Sequence, residues 1–260
     1  MRAMVIAAVA VVGLCGTTPS LAQTAVQRQG PVYGKDQAEA DQPNFLVIVR
    51  LPEKAGNRFE FDVEEDSEAQ FAAYAAGTQL ASCLVASRSD EAERALSNAP
   101  LSSKERRSLA RLTGKGTSCA GVLPGDPAIA RGMVAEALYL ERHSSPPPLP
   151  AIVEETLVDR FAAEEEKRNE HRPLAEVRLS GASDCLVASD LQTADALLRS
   201  RPGSEEEVAL IDALFVNAPR CAGDRRPAFI SLAYLRAYFA SALQRASVAP
   251  ATAGLFLARE

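Results

Sequence analysis

The chain has 260 residues, with 28 basic and 34 acidic side chains and a formal charge of −6 at pH 7. That acidic balance argues against nucleic acid or an anionic membrane as a partner, since both select clustered Lys and Arg. Trp is absent and aromatic residues make up 5%, whereas Ala, Leu, Glu and Arg abound, so a mainly α-helical fold is expected.

Arg2 supplies a positive start, residues 4–14 (MVIAAVAVVGL) form an unbroken apolar run, and Ser20 and Ala22 are the small residues before a cut at Ala22/Gln23. This is the three-part form of a secretory signal peptide. A membrane anchor would need ~20 apolar residues, and residues 16–20 interrupt the run. Lipidation of Cys15 would want a small residue where Leu14 stands. Residues 1–22 are therefore expected to be removed from a periplasmic or secreted protein, bacterial in style, that does not span a membrane once cut. Losing Arg2 alone takes the charge to −7.

Residues 23–43 are polar and without periodicity, and read as a flexible lead-in. Residues 44–51 (NFLVIVRL) are β-prone, and in 58–63 (RFEFDV) Phe59, Phe61 and Val63 alternate with Glu60 and Asp62. A small hairpin is expected, packed on helices because a lone hairpin is marginal in water.

A first unit, residues 44–143, continues with four predicted helices. The first covers 67–87 and ends in CLVAS; a second, near 90–98, turns Ala92, Ala95 and Leu96 inward before Pro100. Ser102 and Glu105 have the spacing of a capping box at the start of the third, which runs to about residue 115. Cys119 falls in the next loop. Asp126 and Pro127 have the form of an N-cap and first-turn proline for the fourth, which ends near His143.

Residues 144–150 (SSPPPLP) read as a stiff, extended spacer. The second unit, 151–260, opens with a helix that has no earlier counterpart, its apolar face formed by Val153, Leu157, Val158 and Phe161. The charged run 164–172 reads as a solvated helix face. A further helix starts near Pro173 and again reaches CLVAS; Leu191, Ala194 and Leu198 face inward on the next. Ser204 and Glu207 repeat the capping box. Ile211, Leu214, Phe215 and Ala218 form one apolar stripe, and Pro227 is expected to open the last helix.

Aligning residues 83–121 with 185–223 without a gap gives 14 identities in 39 positions, among them both CLVAS runs, both capping boxes and both Cys-Ala-Gly runs. Self-similarity at a fixed offset signals repeated structural units. Four cysteines outside the signal allow three pairings. Duplication selects the one in which each unit carries its own bond, Cys83–Cys119 and Cys185–Cys221. Closing a loop of ~37 residues is worth about 3–4 kcal/mol in the chain-entropy picture.

Chemical motifs are sparse. His143 and His171, the two histidines, fall at predicted helix ends, where an imidazolium complements the helix dipole. GASDC (181–185) lacks the second glycine of a nucleophile elbow, and GKGTS (114–118) lacks the spacing of a phosphate loop. No cofactor or metal motif is present: the cysteines lack a CxxC spacing and a nearby His. Paired acids at 64–66, 154–155 and 164–166 leave room for a hydrolase, which would need two carboxylates facing across a cleft.

The two fourth helices offer the best candidate contact surface. Gly132 sits in a helix interior, flanked by Arg131 and Glu136; Phe229, Tyr234, Tyr238 and Phe239 wrap too far round the last helix for one core face. Arg131, Glu136, Tyr234 and Tyr238 are the candidate binding residues, a fully buried central helix being the alternative. The expected function is a non-catalytic binding or interaction module of the bacterial cell envelope, its partner a protein. A carrier of a small apolar ligand and an envelope hydrolase are the alternatives.

Overall fold

A computed structural model of the chain describes residues 66–257 apart from 115–117, 167, 224 and 228–229. The expected signal peptide, lead-in and hairpin, the acids at 64 and 65, and Phe229 lie outside the described residues. Within them the chain is helical, with no strand: α1 (Glu68–Ser97), α2 (Ser103–Leu112), α3 (Pro127–Arg142), α4 (Glu155–Glu166), α5 (Leu174–Ser189), α6 (Leu191–Arg199), α7 (Glu205–Asn217), α8 (Pro219–Ala222), α9 (Leu232–Val248) and a 3-10 turn at Ala253–Phe256. No described helix is long and apolar enough to cross a membrane.

The local signals act twice over. Arg88 leaves the helical region inside α1 (φ −147°, ψ 45°), so two expected helices form one bent element; 102 positions later Asp190 (φ −140°, ψ 77°) separates α5 from α6. Ser102 Oγ accepts from the Glu105 amide at 3.1 Å, and Ser204 Oγ from the Glu207 amide at 3.2 Å. The glutamates reach one residue further back than in the usual capping box: Glu105 Oε2 accepts from the Leu101 amide and Glu207 Oε2 from the Gly203 amide, both at 2.6 Å. Leu101 and Gly203 both have positive φ, 62° and 78°.

At α3, Asp126 Oδ1 accepts from the Ala128 and Ile129 amides, with Pro127 in the first turn. The start of α9 differs from expectation. It begins at Leu232, capped by Ser231 Oγ on the Tyr234 amide, and not at Pro227. Proline offers no side-chain acceptor for the free amides of a first turn, whereas serine does. Cys221 lies on the short α8, opened by Pro219.

Disulfides join Cys83 to Cys119 and Cys185 to Cys221, with Cα separations of 5.9 and 5.5 Å. The first ties α1 to the segment after α2, the second ties α5 to α8. In the middle α3 and α9 pack on one another as the most extensive helix pair, with α1 against α3, α5 against α9 and α4 against α5. Gly132 makes this closeness possible. A Cβ there would overlap Cα and Cβ of Ala237 and come within 2.6 Å of its carbonyl oxygen. Gly132 and Ala237 each stand six residues after the N-cap of their helix.

Candidate functional site

The four residues expected on a contact surface are interior. Arg131 is 2% exposed, Glu136 4%, Tyr234 1% and Tyr238 4%. This corrects the surface reading of α3 and α9. Both are central helices, and their polar side chains answer one another instead of solvent. Nor do the four form one cluster. Arg131 pairs with Glu105 and donates to the Leu96 carbonyl at 2.8 Å. Burial pushes its pKa down to about 10, with Glu105 opposing. Glu136 instead holds Arg236, accepting from its Nε at 3.0 Å and its Nη2 at 2.8 Å, while Tyr74 Oη donates to Glu136 Oε2 at 3.1 Å.

Arg236 is the largest fully buried side chain of the described interior. Its Nη1 donates to Glu207 at 3.0 Å, and its Nη2 to the carbonyls of Leu198 (2.9 Å) and Ser200 (3.1 Å). A buried guanidinium must have its donors met, because an orphaned one carries its full desolvation cost. Arg131 and Arg236 stand five residues past their N-caps. Each takes the capping-box glutamate and the carbonyl at the end of the preceding helical segment. Sequence reading missed these pairs; the signal available was the glutamate shared by both boxes combined with an arginine at one fixed step into each fourth helix.

The tyrosines belong to a third group. Tyr238 Oη donates to Glu176 Oε2 at 3.1 Å, and Arg172 lies over its ring at 5.8 Å. Tyr234 stacks at a tilt on Tyr238, centroids 5.2 Å apart. Burial raises both phenols, and Glu176 is raised by burial as well. All three groups stay protonated more readily than usual, which suits a closed core.

The accessible chemistry lies elsewhere, in a cleft of about 570 Å³ between the last turns of α1, α3 and α9 and the segment after α4. Arg94, Arg142, Arg168 and Arg245 line it, with Asp90, Glu93 and Gln244. Arg245 is anchored from behind by Glu165 at 2.7 Å and by Asp184. Burial works against its charge, but the two carboxylates outweigh it and hold its pKa above the ordinary value. Arg168 pairs with Glu165 at 3.3 Å and donates to the carbonyls of Leu96 and Asn98. At the rim, Arg142 meets Glu93 at 2.7 Å with both side chains well exposed, a pair worth at most about 1 kcal/mol. The side chains of Asp90, Arg94 and Gln244 have no hydrogen-bond or ion-pair partner among the described residues, although Gln244 is only 6% exposed.

His143 caps the C-terminus of α3, but it does not act there as an imidazolium. Its ring lies 4.8 Å from Tyr139 and 5.6 Å from Phe256, and its Nε2 is buried without a partner. Burial and then Arg142 push its pKa down, so the neutral ring is favoured. His171 pairs with Glu170 at 3.0 Å on an exposed stretch. Of the paired acids, Glu155 bridges to Arg220, Glu165 to Arg168 and Arg245, and Asp66 accepts from the Leu232 amide at 2.7 Å. No group of three or more His, Cys, Asp or Glu among the described residues is placed to hold a metal ion. No family model, curated protein or solved structure matches the chain.

Proposed function

We propose that the chain is an exported, internally duplicated helical protein of the bacterial cell envelope that acts by binding rather than by catalysis, through the cleft at the helix ends. The observation that carries this reading is the cleft's unspent polar chemistry. The exposed Asp90 and Arg94 side chains and the buried Gln244 side-chain amide line it without partners among the described residues, whereas Arg142, Arg168 and Arg245 beside them are each paired with a carboxylate. Two disulfides support an oxidising compartment. The paired break positions, capping boxes and buried arginines support duplication. A carrier of an apolar ligand gains less support, because six of the ten residues lining the cleft are charged and the α3–α9 seam is close-packed.

Native mass spectrometry tests this on protein isolated from the exported fraction of its host. The expected product starts at or near Gln23, carries both disulfides, and retains a non-covalent ligand or partner that the Arg142→Glu variant loses. A chain that keeps Met1 overturns export. A chain that retains nothing, or retains the same complement in the variant, overturns binding through the cleft.

A further inference from the structure

Asp90 and Arg94 lie at i and i+4 on α1, the spacing at which an acid followed by a base ordinarily closes an ion pair. Here they do not close. No ion pair between their side chains, or from either side chain to another described residue, comes within 4.0 Å, and both line the cleft. The charge account around them is balanced. Arg168 and Arg245 are neutralised from behind by Glu165 and Asp184, and Arg142 is matched by Glu93. What remains is one guanidinium and one carboxylate, side by side and separate.

A net anion would gain from Arg94 but meet Asp90, and a net cation the reverse. The helix-end carbonyl most able to repel an anion is covered, since Leu96 O accepts from both Arg131 and Arg168. A ligand with both charges satisfies both residues at once. We propose that the cleft takes a small zwitterion of the amino-acid or short-peptide type, with its carboxylate on Arg94 and its ammonium on Asp90. Gln244, whose amide both donates and accepts, suits a peptide group between those ends. Leu96 and Val248 give an apolar side chain a wall, Val248 being 50% exposed. The cleft volume falls within the ~300–1,000 Å³ usual for small-molecule sites. The inference rests on the binding reading above and names its ligand class.

The test uses the purified mature chain with its disulfides intact and the dipeptide L-alanyl-L-leucine, followed by calorimetry. The free dipeptide is expected to bind saturably. Its C-terminal amide and its N-acetyl form should each bind about tenfold more weakly, the scale of one lost charge contact. In Arg94→Gln the free acid and the amide should bind alike; in Asp90→Asn the free amine and the N-acetyl form should bind alike. Both side chains are exposed, so the fold is kept, and a melting curve checks this. Absence of saturable binding, or equal affinity of the wild type for acid and amide, overturns the proposal. If the host protein retains a species that Arg142→Glu releases while dipeptides fail to bind, the zwitterion assignment falls and the binding reading stands.

Discussion

Replacing Gly132 by Ala sets two opposed effects against each other at one position. In an open helix interior the change is favourable by about 1 kcal/mol, because alanine loses less backbone freedom on folding. At Gly132 the added methyl would overlap Cα and Cβ of Ala237 and approach its carbonyl oxygen at 2.6 Å. These are mostly backbone atoms, which cannot rotate away, so α3 and α9 must separate. Overpacking of a close-packed core costs about 1–3 kcal/mol, and parting this pair loosens the most extensive helix contact of the fold. Contacts of 2.4 Å with atoms that cannot rotate away put the cost at the upper end of that range, so the net expectation is a loss of about 1–2 kcal/mol, or a fall of roughly 2–8 °C in Tm for a chain of this size. Gly181 provides the control. It also lies inside a helix, α5, and nothing stands within 4 Å of an added Cβ, so Gly181→Ala should raise Tm. Exchanging the two residues, Gly132→Ala with Ala237→Gly, should recover most of the loss if the two positions face each other across a local two-fold. Differential scanning calorimetry decides. A Gly132→Ala protein that melts at or above the wild type would refute the close-packed seam.

Arg236→Met should cost about 3–5 kcal/mol in urea unfolding, since it leaves Glu136 and Glu207 buried without their cation; adding Glu136→Gln and Glu207→Gln should restore a large part, and no restoration would argue against the charge account. His143 has a depressed pKa, so its neutral ring favours the fold above the unfolded value of ~6.5 and that contribution fades as pH falls below it. Arg142 and Arg199 resist its protonation and Asp195 favours it. Between pH 7.5 and 5.5 the wild type should therefore lose more stability than His143→Gln, and parallel losses in the two proteins would count against this role.

Helix order, the Asp126, Ser102 and Ser204 caps and the cysteine spacing were readable from residue types alone, because each depends on neighbours a few positions away. The start of α9 was not. Pro227 carries the stronger sequence signal, but the amides of the first turn are met by Ser231, an unremarkable serine. The interior charges were read wrongly for a different reason. Arg131 and Glu136 were expected on a contact surface and Arg236 and Arg245 belong to no motif, and only packing shows that each guanidinium has a carboxylate from another helix. The cleft was invisible to sequence. Its polar groups come from the last turns of three helices and a loop, Asp90 and Arg168 being far apart in the chain and neither belonging to a motif.

The anchoring of Arg236 has a consequence for how the chain can be divided. In sequence the protein looks modular, with a disulfide on each side of a proline-rich spacer. Arg236 nevertheless draws one carboxylate from α3, before the spacer, and its other acceptors from α6, Ser200 and α7, after it. Cutting at residues 144–150 would strand a guanidinium in one piece and Glu136 in the other. The first piece could not bury its central helix without desolvating an unmatched Glu136, whereas Arg236 in the second would keep Glu207. The Glu136–Arg236 pair therefore couples the segments on the two sides of the spacer, and the first of them depends on the second to bury α3.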